Sequence, residues 1–436
     1  MPCNDTVASR RRVVKVLILA DDLSGAADTA LGFTRAGWVA EVLLRPGSGV
    51  PSANVDVVAV DTDTRPLTAS CAIERTLYAY RALRAEGQRL YKKIDSTLRG
   101  NWAFEVAALQ PIAGIAVVAP SFPSVGRTVR GGNVYVDGQP LEETSTWRLE
   151  CGGRPAGVTA QLESAGLKCA HIDAEALRNE PELIAELIGS LASRGVQAVV
   201  VDAQTERALR ALADATMNHS TQLFWVGSGG LAADIAASLP RERIAPQRFS
   251  PTRGSVVTVV GTLSDVSERQ CAVLLERAEV HEIIVSPELL RLGARGPKWI
   301  ETAKTIATSI ASGYDILVRI ERERGPDMSK AGHIAGALAT LVAPHFQRIG
   351  SLIATGGETA RAILEHAGVT RLRLIGEIEP GVPLSRVVAA ENAASPYVVT
   401  KAGAFGSHEA LYSAWKRLTA LRHIQPLQDS AKPSTR

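Results

Sequence analysis

Two adjacent carboxylates, Asp21 and Asp22, come directly after the apolar run Val13–Ala20, within the small-residue stretch ADDLSGAADTA. Paired acids in that setting can ligate a metal, accept a proton, bind hydroxyls, or cap a helix. Three further segments carry similar chemistry: DTDTR, with Asp61, Asp63 and Arg65; KKIDSTLRGN, with Lys93, Ile94, Asp95, Ser96 and Arg99; and APSFPSVGRTVRGG, residues 119–132. Carboxylates accept hydrogen bonds from hydroxyls, and Arg and Lys bind carboxylate or phosphate, Arg often bidentately. Segments carrying both kinds suit a small ligand with several hydroxyls and one anionic end. Each residue alone has an ordinary reading as well, Asp22 or Asp95 as a helix cap and Lys92 as a solvated charge.

The second half of the chain offers a different chemistry. Gly261–Gln270, GTLSDVSERQ, contains Ser264; ATGGETA contains Thr355, Gly356, Gly357 and Glu358; EPGVP contains Gly381; TKAGAFGS contains Gly403. Glycines let the backbone approach an anion, and free N–H groups at a helix start point toward it. Several such loops together suit a nucleotide phosphate, although no Gly-x-x-x-x-Gly-Lys-Ser/Thr run is present. VGSGGLAAD, residues 226–234, is another Gly-rich helix entry, where small residues also allow close packing.

Short β-rich apolar runs alternate with helix-period segments and must position these groups. Strands are expected at 14–19, 40–44, 55–60, 89–94, 115–119, 168–172, 198–201 and 223–226, with helices such as 69–85, 181–194 and 206–218 between them. Runs apolar on both faces read as parallel strands buried between helices. The periodicity vanishes over PRERIAPQRFSPTRG, residues 240–254, and then restarts with strands at 255–260, 282–285, 316–320, 351–354, 372–375 and 397–400. Helices are expected there at 264–277, 300–311 and 329–346, and Gly376–Ser385 as a Gly/Pro turn. The reading is an α/β protein of two domains, each a mostly parallel sheet with flanking helices, divided as 13–247 and 248–424. Disordered flanks are expected at 1–12 and 425–436. In such sheets ligands bind beyond the carboxyl ends of the strands, which is where the polar segments fall.

Composition excludes several classes. A net charge of +3, from 48 basic and 45 acidic residues, gives no electrostatic case for nucleic acid or an anionic membrane. Five scattered cysteines without CxxC spacing fit a reducing cytoplasm better than a disulfide framework or structural zinc. No window has the apolar length of a membrane span. HExxH and Gly-x-Ser-x-Gly motifs are absent.

In combination, and in this order, ADDLSGAADTA, DTDTR, KKIDSTLRGN, APSFPSVGRTVRGGNVYVDGQPLEET, GSGGLA, GTLSDVSERQ, ATGGETA, EPGVP and TKAGAFGS resemble the four-carbon acid sugar kinases over residues 14–418. The resemblance implies an N-terminal acid-sugar-binding domain, a C-terminal ATP-binding domain, and phosphoryl transfer in the cleft between them. It places the acid sugar on Asp22, Arg65 and the run Lys93, Ile94, Asp95 and Ser96, and ATP on Ser264, Thr355–Glu358 and Gly403. Gly381 joins the ATP loops, and Ala404 stands where the family usually has a second glycine. On this reading Arg65, Lys93 and Arg99 fix the substrate carboxylate, while Asp21, Asp22 and Asp95 face its hydroxyls. Asp22 is the preferred base and Asp95 the second. Mg²⁺ accompanies ATP, with Glu358 either a water-mediated ligand or a first-turn helix acid; no metal ligand is otherwise assigned. The implied substrate is D-threonate or D-erythronate, with 3-oxo-tetronate as the alternative. A Mg²⁺-dependent phosphatase and a non-catalytic sugar-acid-binding protein are the readings from other classes. Nucleic acid and membrane are not expected partners, and a homodimer is the assembly to test.

Overall fold

Runs of Val, Ile, Leu and Ala that are buried at every position become strands, and the helix-period segments between them return the chain over the sheet faces. The computed structural model describes residues 15–144, 147–148, 153–217, 219–240, 249–262, 264–296, 298–321, 331–389, 395–403 and 405–423. The two expected flanks, most of the expected linker, and Ala404 lie outside the described residues. The chain forms two compact units, Met1–Ile244 with Thr370–Leu374, and Ala245–Val369 with Ile375–Arg436.

In the first unit the strands are β1 (Val16–Ala20), β2 (Ala40–Leu43), β3 (Val57–Asp61), β4 (Arg89–Lys93), β5 (Ile115–Ala119), β6 (Arg127–Arg130), β7 (Asn133–Val136), β8 (Gln139–Pro140), β9 (Cys169–Ile172), β10 (Ala198–Val201) and β11 (Leu223–Gly227). Eight of them form a parallel sheet in the order β2-β3-β1-β4-β11-β5-β10-β9. Arg371, Leu372 and Arg373 pair antiparallel with Leu43, Val42 and Glu41. The fully buried Glu41 carboxylate anchors that edge by accepting from Arg373 at 2.6 Å and from the Ser52 hydroxyl at 2.6 Å.

The second unit has β12 (Val256–Val260), β13 (His281–Val285), β14 (Ile316–Ile320) and β15 (Ser351–Thr355). β16 (Arg371–Glu377), whose first residues belong to the first unit, precedes β17 (Pro383–Val387) and β18 (Tyr397–Lys401). The order β13-β14-β12-β15-β18 is parallel, and β17 adds antiparallel to β18. The parallel strands of both units therefore wind alike: the second ends the parallel order on one side, the third returns beside the first, and the fourth crosses to the first strand's other side. That reversal creates a crevice beyond β1 and β4 in one unit and beyond β12 and β15 in the other, the place where open α/β sheets bind ligands.

Three expectations need correction. Residues 119–132 are not simply a strand-end loop: from Arg127 the chain builds the antiparallel sheet β6-β7-β8. The turn of its first hairpin is pinned by Asp202, whose carboxylate accepts from the Gly131 and Gly132 amides at 2.5 and 3.0 Å. Gly376–Ser385 is a turn only at its centre, because β16 runs on to Glu377 and β17 starts at Pro383, where a missing N–H costs least. The helix expected to reach Phe346 stops at Val342 and gives way to a 3₁₀ segment over Ala343–Arg348, since Pro344 cannot continue an α-helix.

Candidate functional site

The segments that leave β1, β3 and β4 build the first unit's crevice. The three strand ends are level, with Ala20 opposite Asp61 on one side and Lys93 on the other. Asp22 caps the helix Leu23–Arg35, its Oδ1 accepting from the Gly25 amide at 2.8 Å. Its Oδ2 meets Arg65 Nη1 at 2.8 Å. Asp21 is 1% exposed and takes the other edge of the same guanidinium, Nε at 2.9 Å and Nη2 at 3.0 Å. Burial by itself would raise the Asp21 carboxyl, but the charge and hydrogen bonds of Arg65, together with the charges of Lys92 and Lys93, hold the group below its ordinary value. Burial would likewise lower Arg65, which Asp21, Asp22 and Asp95 instead push well above its usual range. One arginine thus orders both acids.

The β4 side is arranged differently. Ile94 buries its side chain completely and spends its amide on Gly227 O at 2.9 Å, so it spaces Lys93 from Asp95. Asp95 accepts from Arg99 Nε at 2.8 Å and Nη2 at 3.2 Å, and from the Thr97 hydroxyl and amide. Arg99 and then Arg65 overcome the cost of burial and hold the Asp95 carboxyl far below the carboxylate range. Ser96 is half-buried beside it. Lys93 contrasts with both arginines. It is 6% exposed, yet it makes no hydrogen bond or ion pair with any described residue. A methyl group on Gly25 would come within 2.6 Å of Asp22 Oδ1 and 2.8 Å of Lys93 Nζ, so a larger residue there would displace one or both side-chain ends. An ammonium so placed, without a hydrogen-bonding or ion-pairing partner among the described residues, has the chemistry to take an anion.

The second crevice is a set of backbone loops held by side chains. Ser264 caps the helix Asp265–Arg277, accepting from the Ser267 amide at 3.2 Å while its hydroxyl donates to Gly403 O at 3.0 Å. Gly356, at φ 90°, precedes the helix Gly357–His366, and Glu358 stands exposed in its first turn. Thr355 is fully buried, so it lies beneath the loop and not at its surface. Gly381 packs on the Phe405 ring, where a Cβ would fall 2.2 Å from a ring carbon. A Cβ on Gly403 would meet Thr262 Oγ1 at 2.7 Å, so the β12 and β18 loops approach at backbone distance. Beside Ser264 lies a cavity of about 200 Å³, lined in part by Val260, Thr262, Glu268 and Arg319.

Four supporting residues were not singled out from sequence. Asn101 donates to Thr64 O at 3.0 Å and Leu67 O at 2.8 Å, fixing the loop that carries Arg65. Glu379 accepts from the Ser407 amide at 2.6 Å and hydroxyl at 2.7 Å, and Gln270 donates to Phe405 O and Ser407 O. Lys401, 2% exposed, donates to three backbone carbonyls. Asn101 and Lys401 lie inside KKIDSTLRGN and TKAGAFGS, so motif membership was the available signal. Glu379 and Gln270 likewise lie inside EPGVP and GTLSDVSERQ, but the distant loop that each one holds is set by the fold and not by a local pattern. Lys92 departs from its expectation as a solvated charge: it is fully buried, 2.6 Å from an equally buried Glu105.

Comparisons with known proteins agree with this division of chemistry. Residues 16–235 match a sugar-binding N-terminal domain and residues 257–411 a nucleotide-binding C-terminal domain. The chain is 46% identical to a D-threonate kinase of Cupriavidus necator, over 93% of this chain and 98% of that protein. It is 36% identical to a D-threonate kinase of Bordetella bronchiseptica, over 91% and 96%. It is 28% identical to a 3-oxo-tetronate kinase of Methylobacterium radiotolerans, over 84% and 91%. In fold it is similar to a Haemophilus influenzae crystal structure, with a TM-score of 0.71 and 23% identity over 92% of this chain and all of that one.

Proposed function

The chain belongs to the four-carbon acid sugar kinase family, and on that premise we propose that it is a cytoplasmic, ATP-dependent kinase of D-threonate, phosphorylating the terminal C4 hydroxyl. The observation that carries the substrate is the 46% identity to a D-threonate kinase, which extends over 93% of this chain and 98% of the relative. No helix among the described residues is long and apolar enough to cross a membrane.

Phosphoryl transfer asks for positioning and charge neutralisation more than for covalent chemistry. We assign the substrate carboxylate to Lys93, the cation not already ion-paired to a described acid, unlike Arg65 and Arg99. Arg65 then serves to hold Asp21 and Asp22, with Asp22 facing the hydroxyls. Asp22 is also the preferred acceptor of the C4 hydroxyl proton, because Asp95 is held ionised too firmly to be a good base. Ser264, the Thr355–Glu358 loop, Gly381 and Gly403 are assigned to the nucleotide. When bound with ATP, Mg²⁺ would supply neutralisation of charge on the phosphoryl group. Among the described residues no cluster of three or more His, Cys, Asp or Glu could hold a metal. We assign Glu358, in the first turn of the helix Gly357–His366, as the residue that would contact that ion through water.

The test is ADP release by the purified protein with ATP and Mg²⁺ against D-threonate, L-threonate, D-erythronate and 3-oxo-tetronate. The expected result is highest kcat/KM for D-threonate and a product whose phosphorus couples to the C4 protons in NMR. Turnover confined to 3-oxo-tetronate moves the substrate by one oxidation state, a distinction that rests on one or two hydrogen-bonding groups. Release of inorganic phosphate with no phosphorylated acid would make the protein a hydrolase.

A further inference from the structure

Lys401 ends β18 opposite Thr355, and its own carbonyl accepts from the Gly356 amide at 2.8 Å. Its side chain does not project from the sheet into solvent but turns under the adjoining loop. Nζ donates at 3.0 Å to each of Ala402 O, Gly403 O and Phe405 O. Gly403 O also accepts from the Ser264 and Ser267 hydroxyls, at 3.0 and 2.7 Å, so three donors converge on one carbonyl. In a planar trans peptide the N–H points opposite to the preceding C=O. Drawing the Ala402 and Phe405 carbonyls onto the ammonium therefore turns the Gly403 and Gly406 amides away from it. Neither amide donates to a described residue. The result is a loop with carbonyls folded in over a buried cation and amide donors turned out, the polarity an anionic phosphate requires.

We propose that Lys401 is a positioning residue for nucleotide binding: its ammonium gathers the carbonyls of the Gly403 loop and so presents backbone amides to a phosphate of ATP. This rests on the assignment of the Gly403 loop to the nucleotide. Lys401 itself touches no ligand in this scheme. Ser264 and Ser267 share the task from the start of the helix Asp265–Arg277, which explains why two hydroxyls spend themselves on one carbonyl.

The charge on Lys401 is within reach of titration. Burial pushes its ammonium down to about 8, against the weaker opposing pull of Cys271 and Glu379. Those are the titratable groups facing it, from the helix Asp265–Arg277 and the turn before β17. Cys271 is itself pushed up to about 11 by burial, so its thiolate pull is absent while Lys401 titrates and Glu379 is the charge that then opposes burial. A neutral amine has only two protons for three carbonyls, and the loop loses its cation as the pH rises through about 8.

The experiment is calorimetric ADP binding and steady-state kinetics on wild type, Lys401→Met and Lys401→Arg. In Lys401→Met we expect ADP affinity to fall and KM for ATP to rise by about 10- to 100-fold, the usual cost of losing hydrogen bonds to a charged group. KM for the acid sugar should stay unchanged, and Lys401→Arg should recover part of the loss. Wild-type ADP affinity should decline as pH rises through about 8, and Lys401→Arg should not show that decline. A folded Lys401→Met protein that binds ADP like wild type overturns the assignment. So does a wild-type ADP affinity that is flat across neutral and alkaline pH, a measurement that needs no variant to fold. Absence of ADP binding by wild type itself overturns the nucleotide assignment of this loop, a different failure from that of Lys401.

Discussion

Lys93→Met should raise KM for D-threonate by roughly 10²- to 10³-fold while leaving KM for ATP unchanged. The ammonium is nearly fully buried and has no hydrogen-bonding or ion-pairing partner among the described residues, so in the free protein its hydrogen-bonding capacity is unspent. A carboxylate arriving beside it exchanges water for a charge-assisted bond in a partly desolvated crevice, where such bonds are strongest. Lys93→Arg should not restore binding. The guanidinium is broader than the ammonium, and the adjoining space is already so tight that a methyl group on Gly25 would fall 2.8 Å from Nζ. Substrate titrations at saturating ATP, with the unfolding midpoint as a check of the fold, decide the matter. A change of only a few-fold in KM would return the carboxylate to Arg65 or Arg99. Arg99→Met offers the contrast: it frees Asp95 from its partner, so its effect should appear in both kcat and KM.

Much of this arrangement was legible because the chain obeys the physics that sequence reading uses. Ile115–Ala119 and Ala198–Val201 are apolar runs of strand length, buried at every position, and their bounds match the expected ones, as do those of Ile316–Ile320, where the half-buried Arg319 interrupts the run. The polar motifs sit at strand ends because buried parallel strands leave polar residues nowhere else to go. What stayed hidden was the winding. Nothing local in the sequence says that β3 returns beside β1, or that Thr370–Leu374 packs with the first unit; both arise from long-range pairing. The ion pairs were hidden as well. A motif supplies Asp21, Asp22, Arg65, Asp95 and Arg99 as chemistry, but only the fold shows that both arginines are occupied by acids and that Lys93 is not. The same limit explains Lys401, whose ammonium works on backbone rather than on a side chain that a pattern could name.

The dipeptide Lys92-Lys93 shows this limit most sharply and carries the largest expected effect on stability. Adjacent residues of a strand point to opposite faces, so two identical side chains on β4 meet different fates. Lys93 lies by the crevice; Lys92 enters the core, 0% exposed, against Glu105 of the helix Trp102–Ala113 at 2.6 Å. Beyond that contact, neither Lys92 Nζ nor either Glu105 carboxylate oxygen finds a hydrogen-bond partner among the described residues. Coulomb attraction is thus left to offset the desolvation of two ions almost unaided. Such a pair contributes little net stability, yet breaking it is expensive. Glu105→Leu should therefore cost about 3–5 kcal/mol in urea unfolding, since it strands a buried ammonium. Lys92→Met combined with Glu105→Leu should recover most or all of that loss, because the two apolar side chains need no hydration to replace. The double variant should also keep wild-type KM for both substrates, as Lys92 and Glu105 face the core and not the crevice. If the double variant is as unstable as the single, the pair is a net stabiliser and its role in the core is larger than its missing hydrogen bonds imply.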